Sequence, residues 1–435
     1  MNRLCIFPLA AVLCLAPAPA QSPMPRTGVV KSGIDVLEAN HFRELDTATQ
    51  RHNGRLRLGL LTNQCGVDAE GRRTIDVLLH DAAQAVPGLT LTTLFSPEHG
   101  ISGVLDQSNI ASTTDPSTGL PVVSLYGSTD AARRPTPDAL HQLDAIAIDL
   151  QDVGVRFYTY EAVVRYFLEA AAKTGTEIIV LDRPNPIGGT TVQGPVSDAG
   201  RDSYTNYMPL PVRHGLTLGE LARYIDGERR LPTPGSPNVQ SPLNAQLTVI
   251  PLEHWTRNQY FDQTGLPWTN PSPNLRSLTA ATLYPGVALL ETTNISVGRG
   301  TATPFEHFGA PYIDAPALTA YLAKRNIPGV SFAPTTITIA DDANHYPYHG
   351  QTIPAIHITL TDRNALDSPS LGIELLSALQ RLYPKQFNLA HADRLLVSVN
   401  TLLALQNNED PHKIIAAWAP DLNAFKARRQ PYLLY

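Results

Sequence analysis

The sequence predicts an α/β protein: a doubly wound, mostly parallel sheet followed by a smaller α+β auxiliary domain. Three observations predict it. Strand-like and helix-like runs alternate from about residue 33 to residue 225. Most of the strand runs are apolar nearly throughout, as expected when both faces of a sheet are covered. The chain has 435 residues, more than one ordinary domain needs. Alternation of this kind builds successive βαβ units.

The elements follow in order. RLRLGLLT (55–62) reads as the first strand and TIDVLLHDAAQA (74–85) as a helix. LTLTTLF (89–95), PVVSLY (121–126) and DAIAIDL (144–150) read as the next strands. In YEAVVRYFLEAAAKTG, Val164, Phe167, Leu168 and Ala171 fall on one helical face, and Gly175 marks the end. TEIIVLD (176–182) is a fifth strand. GLTLGELARYIDGE opens with a capping box, Thr217 and Glu220. The Pro/Gly-rich run that follows closes the first domain, placed at 33–225. The second, at 240–435, should hold a strand LTVIPL, an irregular Pro- and Asn-rich stretch (255–308), a helix near 315–325, strands near Val330 and 353–360, and a helix SLGIELLSALQRLYP.

The first twenty residues read as a secretory signal. Arg3 supplies the charged start, residues 4–15 the apolar stretch, and Ala18 to Ala20 the cleavage site. A secreted or periplasmic protein is expected. Leu13 before Cys14 is too bulky for a lipoprotein box, so no membrane anchor is expected. Cys5 and Cys14 belong to the signal, which leaves Cys65 without a disulfide partner. The net charge of −6 argues against nucleic acid, which selects a basic stripe. Oligomeric state has no signature here.

The acids fall in a pattern. Glu98 and His99, in FSPEHG, follow one predicted strand. Asp149 and Asp152, in DLQDVG, end another. Asp182 and Arg183, in LDRPNP, end a third. Ligands of open α/β sheets bind beyond the carboxyl ends of the strands. A carboxyl beside apolar and aromatic groups can hold a proton and deliver it, and a second carboxylate can activate water or attack. Glu98 is the first candidate acid or base, with His99 tuning it or binding substrate. Asp149 and Asp152 are candidates for the second group, or else anchor backbone amides. Asp182 binds substrate or orders its loop. The second half adds Trp268, Asn270 and Asn274 in GLPWTNPSPNL, and Glu291, Asn294, Arg299 and Glu306 in ETTNISVGRGTATPFEHFG. Trp268 is a candidate sugar platform or a core tryptophan. Arg299, between glycines, suits a carboxylate. The dinucleotide, phosphate-loop, serine-elbow and zinc-helix motifs are absent, and no ligand spacing fits a metal, so no cofactor and no metal are expected.

Seven segments in order carry a family likeness: GLLTNQCGVD, LFSPEHGISG, DLQDVGVRFYTY, LDRPNPIGG, MPLPVRHGLTLGELA, GLPWTNPSPNL and LYPGVALLETTNISVGRGTATPFEHFGAP. Together they resemble the bacterial exo-β-N-acetylmuramidases, glycoside hydrolases formerly grouped as a domain of unknown function. The likeness runs from about Gly33 to Tyr383. It implies a Rossmann-like domain with a smaller auxiliary domain, a cleft between them, and release of N-acetylmuramic acid from the non-reducing end of peptidoglycan fragments. It implies that Glu98 is catalytic, as the acid that protonates the glycosidic oxygen. Asp149, Asp152, Glu291 or Glu306 would then be the second group, with Tyr158 and His99 assisting. The lactyl carboxylate of muramic acid gives Arg299, Arg183 or Arg276 something to bind. Two other readings compete: a non-catalytic muropeptide-binding protein, and a metal-assisted hydrolase of another envelope bond.

Overall fold

The computed structural model describes residues 29–233, 236–343 and 345–435. The signal reading of residues 1–20 lies outside them. The described chain is α/β, with one large, mostly parallel sheet and smaller antiparallel ones. The strands of the first half are β1 (Leu56–Thr62), β2 (Leu89–Ser96), β3 (Thr113–Thr114), β4 (Pro121–Ser124), β5 (Ala145–Asp149) and β6 (Glu177–Leu181). Two antiparallel pairs follow, β7 (Gln193–Val196) with β8 (Pro211–Arg213), and β9 (Arg230–Thr233) with β10 (Ser236–Pro242). β11 (Leu247–Ile250) precedes the strands of the second half, β12 (His307–Gly309), β13 (Val330–Thr338) and β14 (Thr352–Leu360).

The large sheet runs β11-β6-β5-β1-β2-β4-β3, and every pairing is parallel except β3 with β4. Its apolar strands are buried on both faces, as expected. In β5, Ile146 and Ile148 join one core while Ala145 and Ala147 join the other. The first core is filled by Val164, Phe167 and Leu168 of the helix Tyr160–Thr174. The second is closed by Ile34, Leu37 and Leu45 from two short helices that the sequence reading did not assign, Gly33–Ala39 and Arg43–Arg51. Gly175 ends its helix at φ 77°, the left-handed turn that glycine adopts without strain. Thr217 and Glu220 form the expected capping box.

Two expectations are corrected. The strand LTVIPL was grouped with the second domain, but β11 pairs in parallel with β6 and extends the large sheet. Sheet position does not follow chain order, and the half-exposed face of an edge strand carries no mark of its neighbour. The stretch 255–308 also holds a helix, Leu278–Val287, hidden by Pro285 and Gly286 near its end. The second half is otherwise α+β: the antiparallel sheet β12-β14-β13 is accompanied by the helices Ala315–Lys324 and Ser368–Leu382.

Candidate active site

Glu98 stands two residues beyond β2, at the carboxyl edge of the parallel sheet. The chain turns there through His99 at φ 71° and Gly100 at φ 72°. A histidine in the left-handed region is strained, and its side chain supplies the compensation. His99 Nδ1 lies 2.8 Å from the Leu105 carbonyl, which only accepts, so Nδ1 carries the hydrogen. The turn therefore aims Glu98 while His99 pins the following loop. Glu98 is half-buried, and its Oε2 accepts from the Thr159 hydroxyl at 2.5 Å. Thr159 is the N-cap residue of the helix that follows β5. The Tyr126 hydroxyl also bonds Glu98; burial first, and that carboxylate second, raise the pKa of Tyr126.

Glu98 and His99 line a cleft of about 220 Å³, together with Tyr158, Asn274, Glu291 and Arg299. The far wall comes from the second half. Arg299 pairs with Glu291 and, at 3.3 Å, with Asp106, and it donates to the Tyr346 hydroxyl at 2.9 Å. Burial works against its charge, but Glu291 and Asp106 outweigh it and keep Arg299 cationic. Its Nε is buried without a protein partner among the described residues. Gly300 makes room here, because a Cβ at that position would come within 2.9 Å of Ile339. Asp106 also accepts from Asn274 at 2.9 Å and from Tyr346. One carboxylate on the loop after Glu98 thus holds three groups of the opposite wall. The Tyr158 and Tyr160 hydroxyls both donate to the Pro271 carbonyl at 2.9 Å and fix the proline-rich loop to the sheet edge. Tyr158 presents its ring to the cleft while its hydroxyl is spent, and burial raises its pKa far above the usual tyrosine range.

Several candidates stand elsewhere. Asp149 is wholly buried outside the cleft, held by Arg183 Nη2 at 2.9 Å, by Arg183 Nε and by Thr74. Arg183 Nη2 also donates to the Val67 carbonyl, 2.7 Å away, and neither member of the pair lines the cleft of Glu98. Asp182 is buried under donors from Thr217 (2.6 Å), Gly219 (2.8 Å) and Tyr435 (2.8 Å); it ties the capping box and the last residue to the sheet. Asp152 is buried behind the cleft wall. Trp268 packs edge-on to Phe261 and donates to the Asn270 side chain, and it does not line the cleft of Glu98. Asn270 is exposed, and its carbonyl takes Gln64. Asn294 holds the backbone of Gln386 and Asn388, and Glu306 accepts from Ser277. Arg276 is exposed and turns to the carbonyls of Pro273 and Thr301. Each stands near the expected edge or loop, but position along the chain does not tell which way a side chain faces. Thr159, Asp106 and Tyr346 were missed. A threonine before a helix and an acid in a loop are too common to signal a site.

An α/β sheet edge facing a second lobe, with carboxyl groups on both walls of one cleft, defines a carboxyl-dependent glycoside hydrolase. Comparison with known proteins agrees. The chain matches the family model described as exo-β-N-acetylmuramidase NamZ, N-terminal, over residues 58–279, and its C-terminal counterpart over 282–435. It is 34% identical over 410 residues to the peptidoglycan β-N-acetylmuramidase NamZ of Bacillus subtilis (strain 168), covering 93% of this chain and 91% of that one. Two crystal structures of DUF1343 family proteins from Bacteroides fragilis NCTC 9343 superpose well. One gives a TM-score of 0.79 at 30% identity over 93% of this chain and 99% of the other. The second gives 0.70 at 28% over 94% and 99%. The chain belongs to the exo-β-N-acetylmuramidase family, the glycoside hydrolases of peptidoglycan recycling.

Proposed function

We propose that this glycosidase releases N-acetylmuramic acid from the non-reducing end of peptidoglycan fragments, with Glu98 as proton donor. The observation that carries the reading is Glu98 at one wall of the cleft and the Glu291–Arg299 pair at the other. Glu98 protonates the glycosidic oxygen as the bond breaks. Glu291 is the one other candidate carboxylate that lines this cleft, and it activates water or stabilises the oxocarbenium-like state. Arg299 is the one candidate arginine there. Its guanidinium, at the cleft wall, takes the lactyl carboxylate that distinguishes muramic acid from N-acetylglucosamine.

Purified protein offered a chromogenic N-acetylmuramic acid glycoside is expected to turn it over with and without chelator. The corresponding N-acetylglucosamine glycoside should be a far poorer substrate. Arg299→Ala should raise KM for the muramic substrate by about tenfold or more, the value of one charge-assisted contact. Equal turnover of both sugars by the native protein would overturn the assignment. Tight muropeptide binding without product would favour a binding protein instead. The signal reading further proposes an exported enzyme whose mature form begins at Gln21, which N-terminal sequencing of the exported protein would check.

A further inference from the structure

Behind the cleft wall, three buried side chains meet that the chemistry above does not use. Asp152 follows β5, Glu161 lies in the first turn of the helix Tyr160–Thr174, and His214 follows β8. One ligand-type atom from each lies within 4.8 Å of the others. The residue types are those of a metal site, but the hydrogen bonds give a different assignment. His214 Nδ1 accepts the backbone N–H of Leu216 at 3.1 Å, so the ring hydrogen sits on Nε2. Nε2 then donates to Glu161 Oε1, 2.7 Å away, and has no lone pair left for a cation. Burial lowers the pKa of His214 to about 4, which keeps the ring neutral. The Tyr207 hydroxyl donates to Glu161 Oε2. Glu161 is therefore bound as the ionised partner.

Asp152 completes the arrangement. Its Oδ2 accepts from the Gly154 amide at 2.6 Å, while its Oδ1 is buried and meets no donor. A second bare carboxylate beside Glu161 would carry a large desolvation cost. A hydrogen on Oδ1 removes that charge and makes the orphan oxygen a donor. The surrounding charges do not substitute for it. Arg156 directs Nη1 to Asn206 and Nη2 to the carbonyls of Leu395 and Leu396, and its buried Nε meets no acceptor among the described residues. Arg429 turns to the His214 and Gly215 carbonyls, and Glu220 pairs with Arg257. Tyr284 stays neutral, its pKa raised well above the tyrosine range by burial.

We infer that Asp152 and Glu161 share one proton at neutral pH, and that this proton fixes the turn from which Thr159 reaches Glu98. Thr159 stands two residues before Glu161, and its hydroxyl is 2.5 Å from Glu98 Oε2. Asp152 and Glu161 are positioning residues; the inference rests on Glu98 as the acid. Burial, then the Glu161 charge, raise the pKa of Asp152 well above the carboxylate range, and burial raises that of Glu161 as well, so the two do not both ionise at neutral pH. An unfolded aspartate titrates near pH ~3.9. The native protein thus holds a proton that the unfolded chain releases. The dyad's contribution to stability is full below that pH and is lost as pH rises toward the native value.

The test compares Asp152→Asn with Asp152→Ala. An amide gives Glu161 a permanent N–H in place of the shared proton. D152A is expected to lower kcat by about tenfold or more with little change in KM, as misorientation of one catalytic group does. D152N should recover most of that loss and carry activity and melting temperature to higher pH than the native protein. D152N as inactive as D152A, in folded protein, would overturn the inference in favour of a charge or a cation ligand at position 152. Carbonyl-13C NMR titration of the native protein needs no turnover. It should show the Asp152 carboxyl, assigned by the loss of its signal in D152N, protonated at pH 7. An ordinary carboxylate shift there would overturn the shared proton even with Glu98 confirmed as the acid. A protonated Asp152 carboxyl in an enzyme whose E98Q variant keeps its rate would leave the dyad standing and overturn only the reading of Glu98.

Discussion

Glu98→Gln is expected to cut turnover of a natural muramic glycoside by about 10²–10⁴-fold, the usual contribution of a positioned acid. The physical reason is narrow. The amide keeps an oxygen for the Thr159 hydroxyl at 2.5 Å, so the turn is preserved, but it has no proton to give. The loss should therefore depend on the leaving group. A nitrophenolate departs without protonation, so a nitrophenyl glycoside should be cleaved by E98Q much closer to the native rate than a sugar-linked substrate. Stability should change by less than about 1 kcal/mol, because Glu98 is half-buried and its bonded shape is retained. A folded E98Q that hydrolyses the natural linkage at near-native rate would show that another group supplies the proton.

Asp149→Ala should behave in the opposite way, with a large effect on stability and a small one on chemistry. Asp149 sits at the end of β5 with no exposure, and its carboxylate meets the Arg183 guanidinium and the Thr74 hydroxyl. Truncation leaves Arg183 buried and uncompensated at the sheet edge. Breaking one side of such a pair costs about 3–5 kcal/mol, whatever the net worth of the intact pair. The midpoint of urea unfolding is expected to fall accordingly, and turnover per folded molecule to stay within the native order of magnitude. D149N should lie between, since an amide retains acceptors for part of the network. A D149A protein as stable as the native one but inactive would return Asp149 to the reaction.

These two acids look alike in the sequence. Both follow an apolar strand, and both were placed at the carboxyl edge of the sheet, which is where the structure puts them. They part because Asp149 is still the last residue of β5, where Arg183 covers it, while Glu98 stands two residues beyond β2, just before the left-handed turn at His99 and Gly100, and lines the cleft. The placement of Asp149 against Arg183 needs contact between β5 and the loop after β6. Nothing in the local pattern of either segment specifies that contact. Arg299 shows the reverse. Its glycine neighbours pointed to close approach, and the structure finds it in the cleft wall, but its partner Asp106 comes from 193 residues away.

The sequence by itself determined five strands of the large sheet and the helix after β5, the two-faced burial of that sheet, the edge at which acids collect and Glu98 as the residue to watch. Those features depend on short-range periodicity, on turn chemistry and on the rule that parallel strands share one carboxyl edge. Only the tertiary structure decided which acids face the cleft and which are consumed as ties, that β11 closes the first sheet, and that Asp106 and Tyr346 join the two walls. Those outcomes depend on hydrogen bonds between segments far apart, such as Tyr435 with Asp182, 253 residues apart. A side chain's charge and type are local, but its partner is set by how the whole chain packs.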